Sequence, residues 1–217
     1  MSQSGLKKLV RILYCPGTNC EQETAAAFEL AGARTELLFL ADLLKGKTRI
    51  TDCDIFCIPG GFSWGDYIKE GIITATMIAD QLQELVEAKI PGLFICNGFQ
   101  IAARARIFGS NMTLTRNVSD VFCSRPILHR VISSNCIWTR GLTDDILSFP
   151  SAHGGGLVCS WGTINTVMTY EGISPNGGLI AAVSSENGLL LGLMDHPERP
   201  YGNRDGQMIF KNGFLAV

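Results

Sequence analysis

Strands and helices alternate through the first half of this chain, and that alternation leaves few folds open to it. Lys8 to Tyr14 reads as a strand running into the turn residues Cys15-Pro16-Gly17-Thr18-Asn19. A helix follows from about Glu21 to Leu30, with Ala25, Ala26, Phe28 and Leu30 for packing, and Gly32 stops it. Thr35 to Leu40 is a second strand, and Ile55-Phe56-Cys57-Ile58 a third that ends abruptly at Pro59-Gly60-Gly61. Helical spacing returns from Ile72 to Ala88 through Met77, Ile78, Leu82, Leu85 and Val86, and Leu93 to Ile95 forms the next strand. Units of this length predict an α/β fold: an open, mainly parallel sheet flanked by helices. Ligands on such sheets bind beyond the carboxyl ends of the strands. Tyr14 to Gly17, Pro59 to Gly61 and Cys96 to Gly98 are therefore expected to meet on one rim.

Beyond residue 110 the pattern changes to short strand-like runs: Val121-Phe122-Cys123, Ile127 to Ile132, Cys136-Ile137-Trp138, Leu157 to Cys159, Ile180 to Val183 and Leu189 to Met194. Gly154-Gly155-Gly156 and Pro175-Asn176-Gly177-Gly178 punctuate them. With no internal repeat, low-complexity tract or linker, residues 1–217 are expected to form a single domain. A net charge of -2 offers no basic field for nucleic acid and no polybasic patch for membranes, and no apolar run approaches a membrane span. The 8 cysteines form no CxxC pair and no zinc-type Cys/His spacing, so no metal is expected. Their use in core strands, without a secretory leader, points to a reducing cytoplasm.

Cys96 stands where a strand turns tightly into a helix, the geometry of a nucleophile elbow. Gly98 leaves room for the close approach of strand and helix, and the helix aims its positive dipole end at the sulfur, which favours thiolate. A thiol nucleophile also needs a base and a group to orient it. Of three histidines, His196 lies just after another strand, in Asp195-His196-Pro197-Glu198. Residues two apart in extended backbone point the same way, so Glu198 is placed to orient the His196 ring. Gly60 and Gly61 can present bare N–H groups to a developing oxyanion, with the N–H of Asn97 as the partner donor.

Together these residues resemble the class I (triad-type) glutamine amidotransferases, which have a flavodoxin-like fold. Within that class the chain is most similar to the family of glutaminase subunits of phosphoribosylformylglycinamidine synthase. Pro16-Gly17-Thr18-Asn19-Cys20, Phe28 to Ala33, Pro59-Gly60-Gly61-Phe62-Ser63-Trp64-Gly65-Asp66-Tyr67, Cys96-Asn97-Gly98-Phe99-Gln100 and His196-Pro197-Glu198-Arg199 carry the likeness. The resemblance implies Cys96 as nucleophile, His196 as acid and base, and Glu198 as its orienting carboxylate. It implies that Gln100 helps hold glutamine, and that Asn117, Ser119 and Phe122 belong to a loop gripping the amino-acid end. The chain lacks a phosphate loop and needs no cofactor of its own. The implied partners are a large synthetase subunit, which uses ATP and Mg to amidate formylglycinamide ribonucleotide in purine synthesis, and a small third subunit.

Four positions depart from the family. Phe94 and Asp195 stand where glycine and proline are usual, Val121 where a basic residue is, and Gly155 where the family has an acid. The residues taken alone also fit another elbow-cysteine hydrolase or peptidase, or a catalytically silent scaffold.

Overall fold

The computed structural model describes residues 7–66, 69–199 and 204–217; Tyr67, at the end of the glycine-rich motif, lies outside the described residues. Among the described residues one sheet of nine strands runs through the molecule. Its first half is parallel. β1 (Leu9–Tyr14) lies between β2 (Arg34–Phe39) and β3 (Ile55–Ile58), followed by β4 (Gly92–Ile95) and β11 (Leu190–Leu193). Its second half is antiparallel: β10 (Ile180–Ser184), β9 (Asn165–Glu171), β6 (Cys123–Val131) and β7 (Ile146–His153). A separate antiparallel pair joins β5 (Met112–Thr115) to β8 (Leu157–Ser160).

Sequence explains the division. β3, β4 and β11 are continuous apolar runs with every residue buried, as strands covered on both faces must be. In β7, buried and more exposed residues alternate, the mark of a strand with one face toward solvent. The helices α1 (Glu21–Leu30), α2 (Leu40–Leu44), α3 (Ile72–Glu87), α4 (Asn97–Arg104) and α5 (Asp205–Ala216) complete the molecule. α1 ends as its sequence suggests: Gly32 takes φ 107, and the N–H of Ala33 reaches back to the Phe28 carbonyl at 3.1 Å.

Two strand expectations fail. Val121 and Phe122 are not in a strand: the N–H of Asp120 turns back to Asn117 O at 2.9 Å, and β6 starts only at Cys123. Cys136-Ile137-Trp138 gives way to a 3-10 turn, Ile137–Thr139, because the Thr139 hydroxyl donates to the Ser133 carbonyl at 2.7 Å. Trp138 is instead buried edge-on to Phe28, with its Nε1 donating to Leu189 O at 2.9 Å. Phe94, the departure inside β4, is fully buried and sits edge-on to Phe108 at 5.8 Å. Gly92, two residues before it, makes the room; a Cβ there would stand 2.7 Å from the Phe94 ring.

Candidate active site

The three strand ends meet as expected. Thr18 bridges Gly61, the N–H of Phe62 donates to Gly17 O at 2.9 Å, and that of Trp64 to Pro16 O at 2.8 Å. At the next strand end Cys96 takes φ 50 and ψ -108, a conformation that costs a side-chain-bearing residue energy and persists only when its surroundings hold it. They do so from both sides. The Cys96 N–H donates to Leu193 O at 2.8 Å, and the Gln100 N–H donates to Cys96 O at 3.0 Å. Gly98 is obligatory, since a Cβ there would overlap the Ile58 carbonyl oxygen on β3. α4 starts at Asn97, so the N–H groups of its first turn have no acceptor within the helix and face the cysteine end.

β11 pairs with β4 in parallel, Leu193 beside Ile95, and this register brings His196 out beside Cys96. The His196 N–H is fixed to Pro150 O at 2.8 Å, and its Nδ1 lies 2.7 Å from Glu198 Oε1. Its Nε2 is buried without a hydrogen-bond partner. Cys96 and His196 share the wall of a cavity of about 190 Å³. Burial disfavours the imidazolium, but the negative charges of Glu198 and Cys96 outweigh it and hold the His196 pKa well above its ordinary value. The two glycines of the motif separate in space. Gly60 lies against the imidazole, where a Cβ would come 2.6 Å from Cε1, whereas Gly61 lines the cavity beside Cys96.

A second cavity, about 170 Å³, shares Cys96 with the first and is walled further by Gln100, Phe122, His153, Gly155 and Glu70. Gln100 is held at both ends: its Nε2 donates to Gly155 O at 2.6 Å, and its Oε1 accepts from Asn97 Nδ2 at 3.0 Å. Phe122 stacks on Phe62, with ring centroids 6.5 Å apart, and both rings line both cavities. Asn117 does not reach either cavity. Its amide nitrogen donates to the carbonyls of Val121 and His153, and its oxygen accepts from the Gly156 N–H, so it staples the loop to the glycine strap. Ser119 is exposed and accepts from the Val121 N–H at 3.3 Å. The Val121 side chain points to solvent.

Asp195 is fully buried, with His129 Nε2 2.7 Å from one carboxylate oxygen and His153 Nε2 3.6 Å from the other. Burial alone would raise its pKa; the two imidazoles outweigh that and hold the carboxyl well below the usual range. Neither this cluster nor Glu70 carried a signal in the sequence, because their members come from separate elements. All 8 cysteines are free thiols. Burial pushes Cys53 and Cys136 up to about 12, which makes them unreactive. Among the described residues, Cys20, His196 and Glu198 are the one set of three close enough to share a metal ion, with ligand atoms within 4.8 Å. Two of these three already form the acid–imidazole pair.

An elbow cysteine facing a carboxylate-bound histidine on a mixed α/β sheet defines a class of enzyme. Residues 7–172 match a CobB/CobQ-like glutamine amidotransferase domain, and the chain belongs to that family. The phosphoribosylformylglycinamidine synthase subunit PurQ of Dehalococcoides mccartyi is 35% identical over 215 residues, which span 87% of this chain and 84% of that protein. The PurQ subunit of Pyrobaculum aerophilum is 36% identical over 204 residues, or 91% and 92% of the two chains. The solved structure of PurLQS from Thermotoga maritima superposes with a TM-score of 0.88 at 28% identity, covering 97% of this chain and 99% of that one. Within its family, then, the chain is a glutamine amidotransferase of the PurQ type. Among the described residues no helix is long and apolar enough to cross a membrane.

Proposed function

We propose that Cys96, His196 and Glu198 form a triad that hydrolyses the side-chain amide of glutamine, and that the ammonia serves a synthetase partner. The Cys96 sulfur attacks the amide carbon, and the N–H groups of Gly61 and Asn97 receive the oxyanion while Gly60 gives the His196 ring its place. His196 protonates the departing ammonia, then takes a proton from the water that releases glutamate from the thioester. Gln100 and Phe122 contact the substrate; Asn117 and Ser119 act by shaping the loop that carries Phe122. The observation that carries this reading is the forced backbone of Cys96 beside the free Nε2 of a histidine whose other nitrogen is held by Glu198 at 2.7 Å.

The partner in this reading is a large synthetase subunit that amidates formylglycinamide ribonucleotide with ATP and Mg in purine synthesis. A small third subunit joins the same complex. The likeness to the Thermotoga PurLQS structure supports it, as does the lack of a phosphate-loop motif in this chain. The continuous sheet, in which β11 lies between parallel β4 and antiparallel β10, supports a single domain over 1–217. The 8 unbridged cysteines support a reducing, cytoplasmic setting.

Replacing the nucleophile tests the reading. Cys96→Ser in the reconstituted complex is expected to abolish glutamine-dependent synthesis and leave ammonia-dependent synthesis intact. Retained glutamine turnover, measured as glutamate release, would remove Cys96 from the chemistry.

A further inference from the structure

Outside the triad, one carboxylate reaches the reaction cavity, and the way the chain holds it suggests a task. Glu70 precedes Gly71, which takes φ 74 and packs so closely on α4 that a Cβ would come 2.8 Å from Ile101. Arg104, at the end of α4, clamps the segment. Its Nε donates to the Glu70 carbonyl at 2.6 Å, and its Nη2 lies 3.7 Å from Glu70 Oε2. That leaves Oε1, which faces the glycine strap: a Cβ on Gly155 would stand 3.3 Å from it. Glu70 is thus fixed to the helix that starts immediately after the nucleophile, and it shares one cavity with Cys96 and Gln100.

Glutamine is a zwitterion whose α-ammonium sits three carbons from the amide carbon. With that carbon at the Cys96 sulfur, the ammonium still lies inside the cavity or at its mouth. An ammonium taken out of water needs an anionic acceptor. Among the described residues lining this cavity, Glu70 is the one acidic group. We propose that Glu70 receives the α-ammonium of glutamine and makes the enzyme specific for an α-amino acid amide. Gly155 serves the same end, since a side chain there would crowd the free carboxylate oxygen. This inference rests on the glutaminase reading above.

The test compares glutamine with two truncated amides, 4-carbamoylbutanoate, which lacks the amino group, and 4-aminobutanamide, which lacks the carboxylate. kcat/KM is measured for each, or Ki where turnover is slow. Glu70→Gln is expected to weaken glutamine and 4-aminobutanamide by at least about tenfold, chiefly in KM, as befits a lost charge-assisted hydrogen bond. It should leave 4-carbamoylbutanoate unchanged or improved, and Glu70→Asp should recover part of the loss. An equal loss for all three compounds would assign Glu70 a purely architectural role with Arg104, and no loss for any would remove it from the site; either result overturns the proposal. A wild-type protein that hydrolyses no glutamine would instead overturn the parent reading.

Discussion

Two buried carboxylate–imidazole pairs lie just beyond the end of β11, one on each of the adjacent residues Asp195 and His196. His196 meets Glu198 at 2.7 Å, and His129 meets Asp195 at 2.7 Å. All four side chains are almost completely buried. Distance and burial therefore do not distinguish them; what lies on the far side of the ring does. His196 turns its second nitrogen toward the cavity it shares with Cys96. His129 packs its ring against Phe149 at 4.7 Å and Tyr170 at 5.5 Å, inside the antiparallel half of the sheet. A proton held by His129 has no substrate to go to. The comparison separates an acid–base pair from an anchor: Asp195, held by His129 and His153, fixes the chain immediately before His196.

The sharpest way to break this comparison is to remove each imidazole in turn. His196→Ala is expected to lower kcat by on the order of 10²-fold or more, because it deletes the group that moves the protons. Glu198→Gln should cost less, since it removes orientation and charge while leaving the ring. It should also move the alkaline limb of the kcat/KM profile to lower pH, because Glu198 is a principal cause of the raised His196 pKa. The same linkage has a sign for stability. A raised pKa makes the His196 contribution complete below its ordinary value of about 6.5 and loses it as pH rises through the folded value, a decline that Glu198→Gln should flatten in denaturation titrations.

His129→Phe has the smallest expected effect on chemistry. It leaves the Asp195 carboxylate without its closest partner, so a stability loss of about 3–5 kcal/mol is expected in denaturant unfolding, with kcat per folded molecule near wild type. A kcat loss comparable to that of His196→Ala, without loss of stability, would make the two pairs functional equals and end the distinction.

Sequence alone revealed the parallel half of the molecule far better than the antiparallel half. β3 and α1 have the boundaries that their apolar spacing and turn residues imply, because a strand buried on both faces and a helix closed by Gly32 leave plain signatures. β5, β7 and β9 escaped notice: Ile146–His153, for one, mixes Ser, Pro and His into a strand with one exposed face that pairs on one side only, with β6. Cys96 was legible because elbow geometry is a local rule; Glu198 does orient His196, but across a turn closed by the Arg199 N–H on His196 O at 3.4 Å and not along the extended backbone expected for the pair. Glu70 was not legible, since only the clamp by Arg104 and the approach to Gly155 bring it to the cavity. Asn117 read as a substrate contact, yet all its side-chain bonding goes to the strap and loop.

Trapping the covalent intermediate tests the central claim most directly. The protein, assembled with its synthetase partner, would be mixed with isotopically labelled glutamine, quenched in acid within one turnover, and mapped by peptide mass spectrometry. The expected result is a γ-glutamyl thioester on the peptide containing Cys96, absent from Cys96→Ser. A thioester on Cys15 or Cys20, or glutamate formed at full rate with no thioester on Cys96 at any quench time, would contradict the account.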